Sequence, residues 1–560
     1  MMNAVLSKRL KITINIKKRV FIGKNMKILL VVPKYNLTNE IDYSYAIPTG
    51  LGYISAVLKK TGHDVDCLNL NHYSGTIADI VSKKLDEKNY DFVGTGNNAL
   101  GYAVTEKIIN AVKNHATRPK FILGGPIITS EPDAVFNLLN PDFAVIGEGE
   151  ETIVELLEYI EKKEDLRKVK GIGFRDENGK ILFTERRMPI ENLDSIPWPD
   201  VDGLEFEKQL ENLPGHGMYL YQSFDYPRPY AVLGSRGCPF NCTFCYHVGK
   251  YRQRTLDSII KEIEYAVKRY EINIIVLYDD CFSIDKKRLY EFCKRMKKLR
   301  EEMSCDLKWM PQLTVHNLDS EMLKTIKEAG GDTVSYGFES FSSEVLKSMK
   351  KPITPEMIEK AFYETMKAKI GIQANFIFGD VAETKETAYK TLNWWKKNCK
   401  GQVKLGFIQP YPGSEIYRHC LRKGIIKDKK EFIKNQVAME HWYNMTDKMS
   451  DEEIRQLKRD ILDAKSKYYA YTKPISIRNM GKERYELKVK CPFCGNVDLY
   501  GNCEIKNRYL CHYGLVCRDC HMLFRVMSLI KMIAYRYQPQ LRAIRDLQLK
   551  ILKFLKKSRM

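Results

Sequence analysis

From residue 26 onward, short apolar runs alternate with stretches whose apolar positions recur every three or four residues. Runs at 27–33, 64–70, 91–96, 120–125 and 143–148 have the length of buried strands, and the segments between them carry helical periodicity. Such alternation predicts an open, doubly wound parallel α/β sheet over 26–165. A hairpin is predicted at 171–185 around Asn178-Gly179, a pair that favours positive φ. The Pro-punctuated connector at 190–200 suits neither helix nor central strand, so 166–225 reads as a linker with a hairpin. Over 226–440 the alternation resumes, with strands at 230–234, 273–278, 307–314, 332–337, 372–378 and 402–409. The intervening helices fall at 256–269, 287–300, 320–329, 355–368 and 386–398. Six such units predict a partial (β/α)6 barrel of the TIM type, whose chemistry belongs at the carboxyl ends of the strands. A helical linker is expected at 441–485, a small cysteine-bearing ribbon at 486–525, and a basic amphipathic helix at 526–560.

At 560 residues and 44% hydrophobic, the chain can build two or three cores. No apolar run of about 18 residues suits a membrane span, and the first residues lack the apolar core and cleavage site of a leader. A cytoplasmic setting is therefore expected. Seven of the 15 cysteines fall in two ligand-like clusters and the rest are scattered, the usage of a reducing compartment. The net charge of +21 sits mostly in the tails: residues 1–25 and 521–560 together contribute 16 of it. A broad nucleic-acid footprint is disfavoured on that distribution. Residues 1–25 read as a basic extension, with Met26 as the natural start and a tail of real use as the alternative.

Cys238, Cys242 and Cys245 follow the first barrel strand in the spacing C-x-x-x-C-x-x-C. An iron–sulfur cube takes one cysteine per iron, so three within eight residues leave one iron for a non-protein ligand. A zinc site would need a fourth ligand, and His247 is the sole local candidate.

With this loop the barrel resembles the radical S-adenosylmethionine (SAM) superfamily, in which SAM chelates the open iron of a 4Fe-4S cluster. The resemblance implies SAM contacts at Phe244, Asp280, Glu339, Gly379 and Gln409. Phe244 would pack by the adenine, Asp280 would accept from the ammonium, and Glu339 would bond the ribose or ammonium. Residues 371–379 would offer backbone groups to the adenine. The first domain, with Pro48-Thr-Gly-Leu-Gly and its Gly-rich strand ends, resembles the cobalamin-binding domain of one large radical SAM subclass. That implies cobalamin contacts at Thr49, Gly96, Asn97, Gly124, Gly125, Gly147, Glu148 and Gly149. The cobalt-ligating D-x-H-x-x-G is missing, since residues 35–45 contain no histidine, and His72-Tyr-Ser-Gly75 matches half of it in the wrong place. Cobalt would then have no protein imidazole.

Across residues 26–440 the chain is similar to cobalamin-dependent radical SAM methylases acting on an unactivated carbon. The same cofactors also serve cyclases and ring-rearranging enzymes, and sequence does not separate them. The resemblance implies an external one-electron reductant of flavodoxin or ferredoxin type and an unnamed small-molecule or lipid substrate. A tRNA methylthiotransferase is disfavoured because the first domain offers only Cys67. From another class, a zinc-ribbon nucleic-acid-binding protein with a degenerate barrel is opposed by the intact cysteine loop.

Cys491-x-x-Cys494 and Cys517-x-x-Cys520 have the paired spacing of a four-thiolate zinc ribbon. Cys503 and Cys511 between them keep an auxiliary iron–sulfur cluster open as the alternative. Beyond, Leu541, Ile544, Leu547, Ile551 and Leu555 recur at helical spacing among Lys and Arg. Such a helix suits an anionic membrane surface or the protein's own body.

Overall fold

The computed structural model describes residues 25–215, 223–246, 249–316, 318–435, 443–505 and 512–537. Residues 1–24 of the basic extension, His247, Cys511 and the basic helix at 541–555 lie outside them. The chain forms two compact units, one from residues 1–41, 47–206 and 248–258, the other from 42–46, 207–247 and 259–560. No described helix is long and apolar enough to cross a membrane.

In the first unit, strands β1 (Lys27–Val32), β2 (Asp64–Asn69), β3 (Phe92–Gly96), β4 (Lys120–Gly124) and β5 (Phe143–Val145) alternate with helices. The main ones are α1 (Thr49–Lys60), α2 (Ile77–Glu87), α3 (Tyr102–Asn114) and, after β5, the helix Glu150–Lys162. The sheet order is β2-β1-β3-β4-β5, all parallel, and two further strands extend it: β6 (Ile172–Arg175) and β7 (Ile181–Phe183). Because β1, β3 and β4 are covered on both faces, they are almost continuously apolar. The hairpin expected within a linker instead pairs antiparallel with β5, so it belongs to this sheet. Its turn is also longer than a two-residue one. The Asp176 carboxylate accepts the amides of Asn178 (3.0 Å) and Lys180 (2.8 Å), an Asx turn, and the Asp176 amide donates to Lys180 O (2.9 Å), which closes a three-residue turn over 177–179.

In the second unit six parallel barrel strands run in sequence order: Pro229–Val232, Ile274–Leu277, Lys308–Met310 continued by Gln312–Leu313, Thr333–Glu339, Gly371–Phe378 and Val403–Phe407. The third was expected as one strand. Pro311 lacks an amide and interrupts it: the first half pairs with the second barrel strand and bridges Gly331 just ahead of the fourth, and the rest pairs with the fourth. Helices Lys286–Met303, Ser320–Glu328, Pro355–Lys367 and Lys385–Asn398 return the chain between strands. Trp309, Tyr336, Phe338, Phe376 and Trp395 are fully buried and fill the space between them. After helix Asp451–Tyr468 the chain forms antiparallel hairpins, Arg484–Lys490 with Val497–Glu504 and His512–Val516 with Leu523–Met527.

Candidate active site

The β2-β1-β3 order makes a switch point between β1 and β3, where ligands of such sheets bind beyond the strand ends. The residues expected to meet cobalamin gather at that edge. Gly96 pairs with Gly124 across β3 and β4. The Asn97 carbonyl accepts the amide of Ile127 at 3.0 Å, and a side chain on Gly125 (φ +83°) would press to 2.9 Å of that same oxygen. A Cβ on Gly124 would meet only the Thr95 carbonyl at 4.0 Å, and one on Gly147 (φ +88°) would meet nothing within 4 Å. Bare backbone therefore fronts open space at the ends of β4 and β5, which fits a broad, flat ligand. Thr49 opens the first turn of α1. Gly149 serves packing, because a Cβ there would lie 2.9 Å from Ile54 of α1. The Glu148 carboxylate is held by Arg252 and by the amide of Ile190 at 2.6 Å. The first unit's described histidines are engaged elsewhere. His63 is buried, His72 is bonded to Glu205 at 2.6 Å, and His115 to Asp86 at 3.1 Å.

In the second unit the cysteine loop leaves the carboxyl end of the first barrel strand through Gly237 in a left-handed conformation (φ +77°). It is pinned from both sides: the Thr243 amide donates to Met349 O (3.0 Å), and its carbonyl accepts from Ile416 N (2.9 Å). Phe244 packs against an apolar cluster that includes Met349, Ile408 and Tyr417. Burial raises the pKa of Cys238, Cys242 and Cys245, and the nearby Lys351 ammonium opposes the rise at each. Three thiols on one loop beside a cation suit an anionic metal cluster, which takes thiolates and leaves one iron open.

The two adjacent aspartates at the end of the second barrel strand do different work. Asp279 is buried and accepts from Gly234 N (2.7 Å) and Ser235 Oγ (2.5 Å), which ties the second strand to the start of the cysteine loop. Asp280 is exposed, and its charge acts on Cys238 and Cys245. Glu339 is buried with φ +61°, just past a bulge in the fourth strand, and accepts from Lys351 at 3.1 Å. Gly337 makes room for this pair: a Cβ there would stand 2.3 Å from Glu339 Oε1 and 2.6 Å from Lys351 Nζ. Gly379 (φ +98°) closes the fifth strand and donates to Glu383 Oε2 at 2.6 Å. Gln409, after the sixth strand, is half-buried and its carbonyl accepts from Tyr411 N.

Sequence reasoning missed Lys351 and Glu383. The first stands in Lys350-Lys351-Pro352, indistinguishable along the chain from surface charge. The second lies four residues beyond Gly379 and is buried, and desolvation pushes its pKa up to about 8, with the Asp380 charge adding to the rise.

Residues 232–394 match the radical SAM superfamily and residues 42–157 the B12-binding domain. The chain carries a radical SAM domain and a B12-binding domain. As a radical SAM enzyme it uses a 4Fe-4S cluster, SAM and cobalamin. It is 29% identical over 411 residues to an uncharacterised methyltransferase of Pyrococcus horikoshii, covering 72% of this chain and 85% of the relative. It is 25% identical over 412 residues to an anaerobic magnesium-protoporphyrin IX monomethyl ester cyclase of Rubrivivax gelatinosus, covering 70% of each. The radical SAM methyltransferase TsrM of Kitasatospora setae, solved with cobalamin and a [4Fe-4S] cluster, shares the fold at TM-score 0.56 and 17% identity, over 70% of this chain and 75% of that one.

Proposed function

We propose that this radical SAM protein transfers a methyl group to an unactivated carbon. The observation that carries the reading is a B12-binding sheet without a histidine in its first strand-to-helix loop, in the same chain as a three-cysteine radical loop. When bound, the cluster with SAM supplies hydrogen abstraction and cobalamin supplies a transferable methyl group, chemistry that side chains lack. Cys238, Cys242 and Cys245 would hold the cluster, with Lys351 offsetting its negative charge. Asp280 and Glu339 would orient SAM by accepting hydrogen bonds from its ammonium and ribose, Phe244 would lie beside its adenine, and Gly379 and Gln409 would present backbone groups to it. Gly96, Asn97, Gly124, Gly125 and Gly147 would let cobalamin lie against bare backbone. An electron donor of flavodoxin or ferredoxin type and a cytoplasmic setting suit the free thiols.

The test is anaerobic reconstitution followed by reduction in the presence of SAM carrying a labelled methyl group. The expected products are 5'-deoxyadenosine and labelled methylcobalamin, with deoxyadenosine abolished in Cys242→Ala. Undiminished cleavage by that variant would overturn the cluster assignment. A cyclase, the second reading favoured by the Rubrivivax relative, would form deoxyadenosine without moving label from SAM to cobalamin.

A further inference from the structure

The two Cys-x-x-Cys pairs at the tail form the turns of two hairpins that face one another. Cys491–Gly495 joins the strands Arg484–Lys490 and Val497–Glu504, and Cys517–His521 joins His512–Val516 and Leu523–Met527. Their backbones repeat the same pattern. Cys491 N donates to Asn496 O and Gly495 N to Cys491 O; Cys517 N donates to Met522 O and His521 N to Cys517 O. The fifth residue of each turn is left-handed, Gly495 at φ +81° and His521 at +56°. This geometry brings all four Sγ atoms within 4.8 Å of one another, with Cys494–Cys517 at 3.5 Å and Cys491–Cys520 at 3.8 Å. Four thiolates at about 2.3 Å from a single tetrahedral ion stand about 3.8 Å apart. A cube distributes its thiolates over four separate irons and must spread them farther. Cys503 is buried but does not belong to this group, and its thiol donates to Tyr500 O.

The second turn is also where the tail grips the barrel. Arg518 binds Asp225 at 2.6 Å, and Gly501 N donates to the same carboxylate at 2.8 Å. His521 lies 3.5 Å from Asp332 and accepts from Lys327 at 3.0 Å. Gln402 exchanges two bonds with the backbone of Leu523, at 2.9 and 2.7 Å. Asp332 and Gln402 immediately precede the fourth and sixth barrel strands, Asp225 lies four residues before the first, and those strands are parallel. The tail therefore covers the amino-terminal end of the barrel, whereas the radical cysteines leave its carboxyl end. The left-handed His521, where the sister turn has glycine, is explained by this grip: an ordinary side chain is disfavoured there, but this one reaches Asp332 and Lys327.

We propose that Cys491, Cys494, Cys517 and Cys520 bind one zinc ion, and that this ion shapes the turn that latches the tail onto the amino-terminal end of the barrel. The site is separate from the radical centre and closed, with no position for substrate.

The test uses the full chain. X-ray absorption at the zinc edge should show one zinc per chain with four sulfurs at about 2.3 Å, retained when Cys238, Cys242 and Cys245 are all replaced by Ala. Stripping zinc from the wild type with a chelator should accelerate amide exchange at residues 331–334 and 402–405 by about tenfold or more. His521→Gly should keep the zinc, since Gly495 occupies the equivalent place, and accelerate exchange at 331–334. Iron with acid-labile sulfide at these cysteines, a single iron in place of zinc, or no metal would overturn the site. Exchange unchanged after zinc removal would overturn the latch.

Discussion

Arg252 and Glu148 meet through two parallel N–H···O bonds, each 2.9 Å long, with only 6% and 12% of their side chains exposed. The remaining capacity of both is used locally: Arg252 also donates to Ile190 O at 2.7 Å, and Glu148 also accepts from Ile190 N. The loop after β5 is thereby tied to residues 190 and 252, distant in sequence but part of the same unit. Arg252→Ala would leave a buried carboxylate without its partner, at a cost of about 3–5 kcal/mol. Arg252→Lys should recover little of it, because an ammonium cannot reproduce the fork. Thermal and denaturant unfolding of the two variants checks this, and a loss below about 1 kcal/mol for the alanine variant would show the pair to be solvated.

The neighbouring aspartates should separate cleanly. Asp279→Asn removes the charge from a buried acceptor of two hydrogen bonds and is expected to cost about 1.5–3 kcal/mol of stability. Asp280→Asn, at an exposed position, should leave the melting temperature nearly unchanged while weakening SAM binding about tenfold or more. Paired melting and equilibrium-dialysis measurements would refute the division of labour if both variants changed the same quantity.

Lys351 places a positive charge beside all three radical cysteines. A cation favours the more negative, reduced form of a cluster, so Lys351→Met should shift the cluster's reduction potential downward. Redox titration followed by electron paramagnetic resonance reads this without any substrate. A potential that stays in place or rises would remove Lys351 from the cluster's surroundings.

Glu383 makes stability depend on pH. Burial raises its folded-state pKa from 4.5 to about 8, with the Gly379 amide opposing and Asp380 reinforcing the rise. The folded chain then holds a proton that the unfolded chain releases, so the stability this group contributes is complete below about pH 4.5 and is lost as pH rises through 8. Glu383→Gln should flatten that part of the profile and be relatively more stable than wild type at pH 8.5. Unfolding curves from pH 5 to 8.5 that run parallel for the two proteins would contradict the buried, protonated state.

Much of the architecture is legible along the chain because strand and helix periods, Gly-rich strand ends and cysteine spacing are local properties. The five parallel strands of the first sheet and the six of the barrel emerge within a few residues of their expected limits. The hairpin at 171–185 was misassigned to a linker for a physical reason: nothing in its own residues says which sheet edge will accept its hydrogen bonds. Likewise Pro311 lies inside an apolar run, and that pairing with the fourth strand continues on both sides of it depends on the third and fourth strands being side by side.

The covalent chain supplies the chemistry available: three thiolates on one loop, four more in two pairs, and a first domain with no histidine in its first strand-to-helix loop. Those features are covalent spacings, and no folding can add a ligand the chain lacks. How each polar group is used follows from burial and from partners that the fold brings together. Asp279 and Asp280 are identical neighbours until one is buried under two donors and the other faces solvent. Glu148 and Arg252 are 104 residues apart, and Lys351 and the cysteines more than 100, so their interactions exist only once the fold has brought them within the few ångströms over which hydrogen bonds and desolvated charges act.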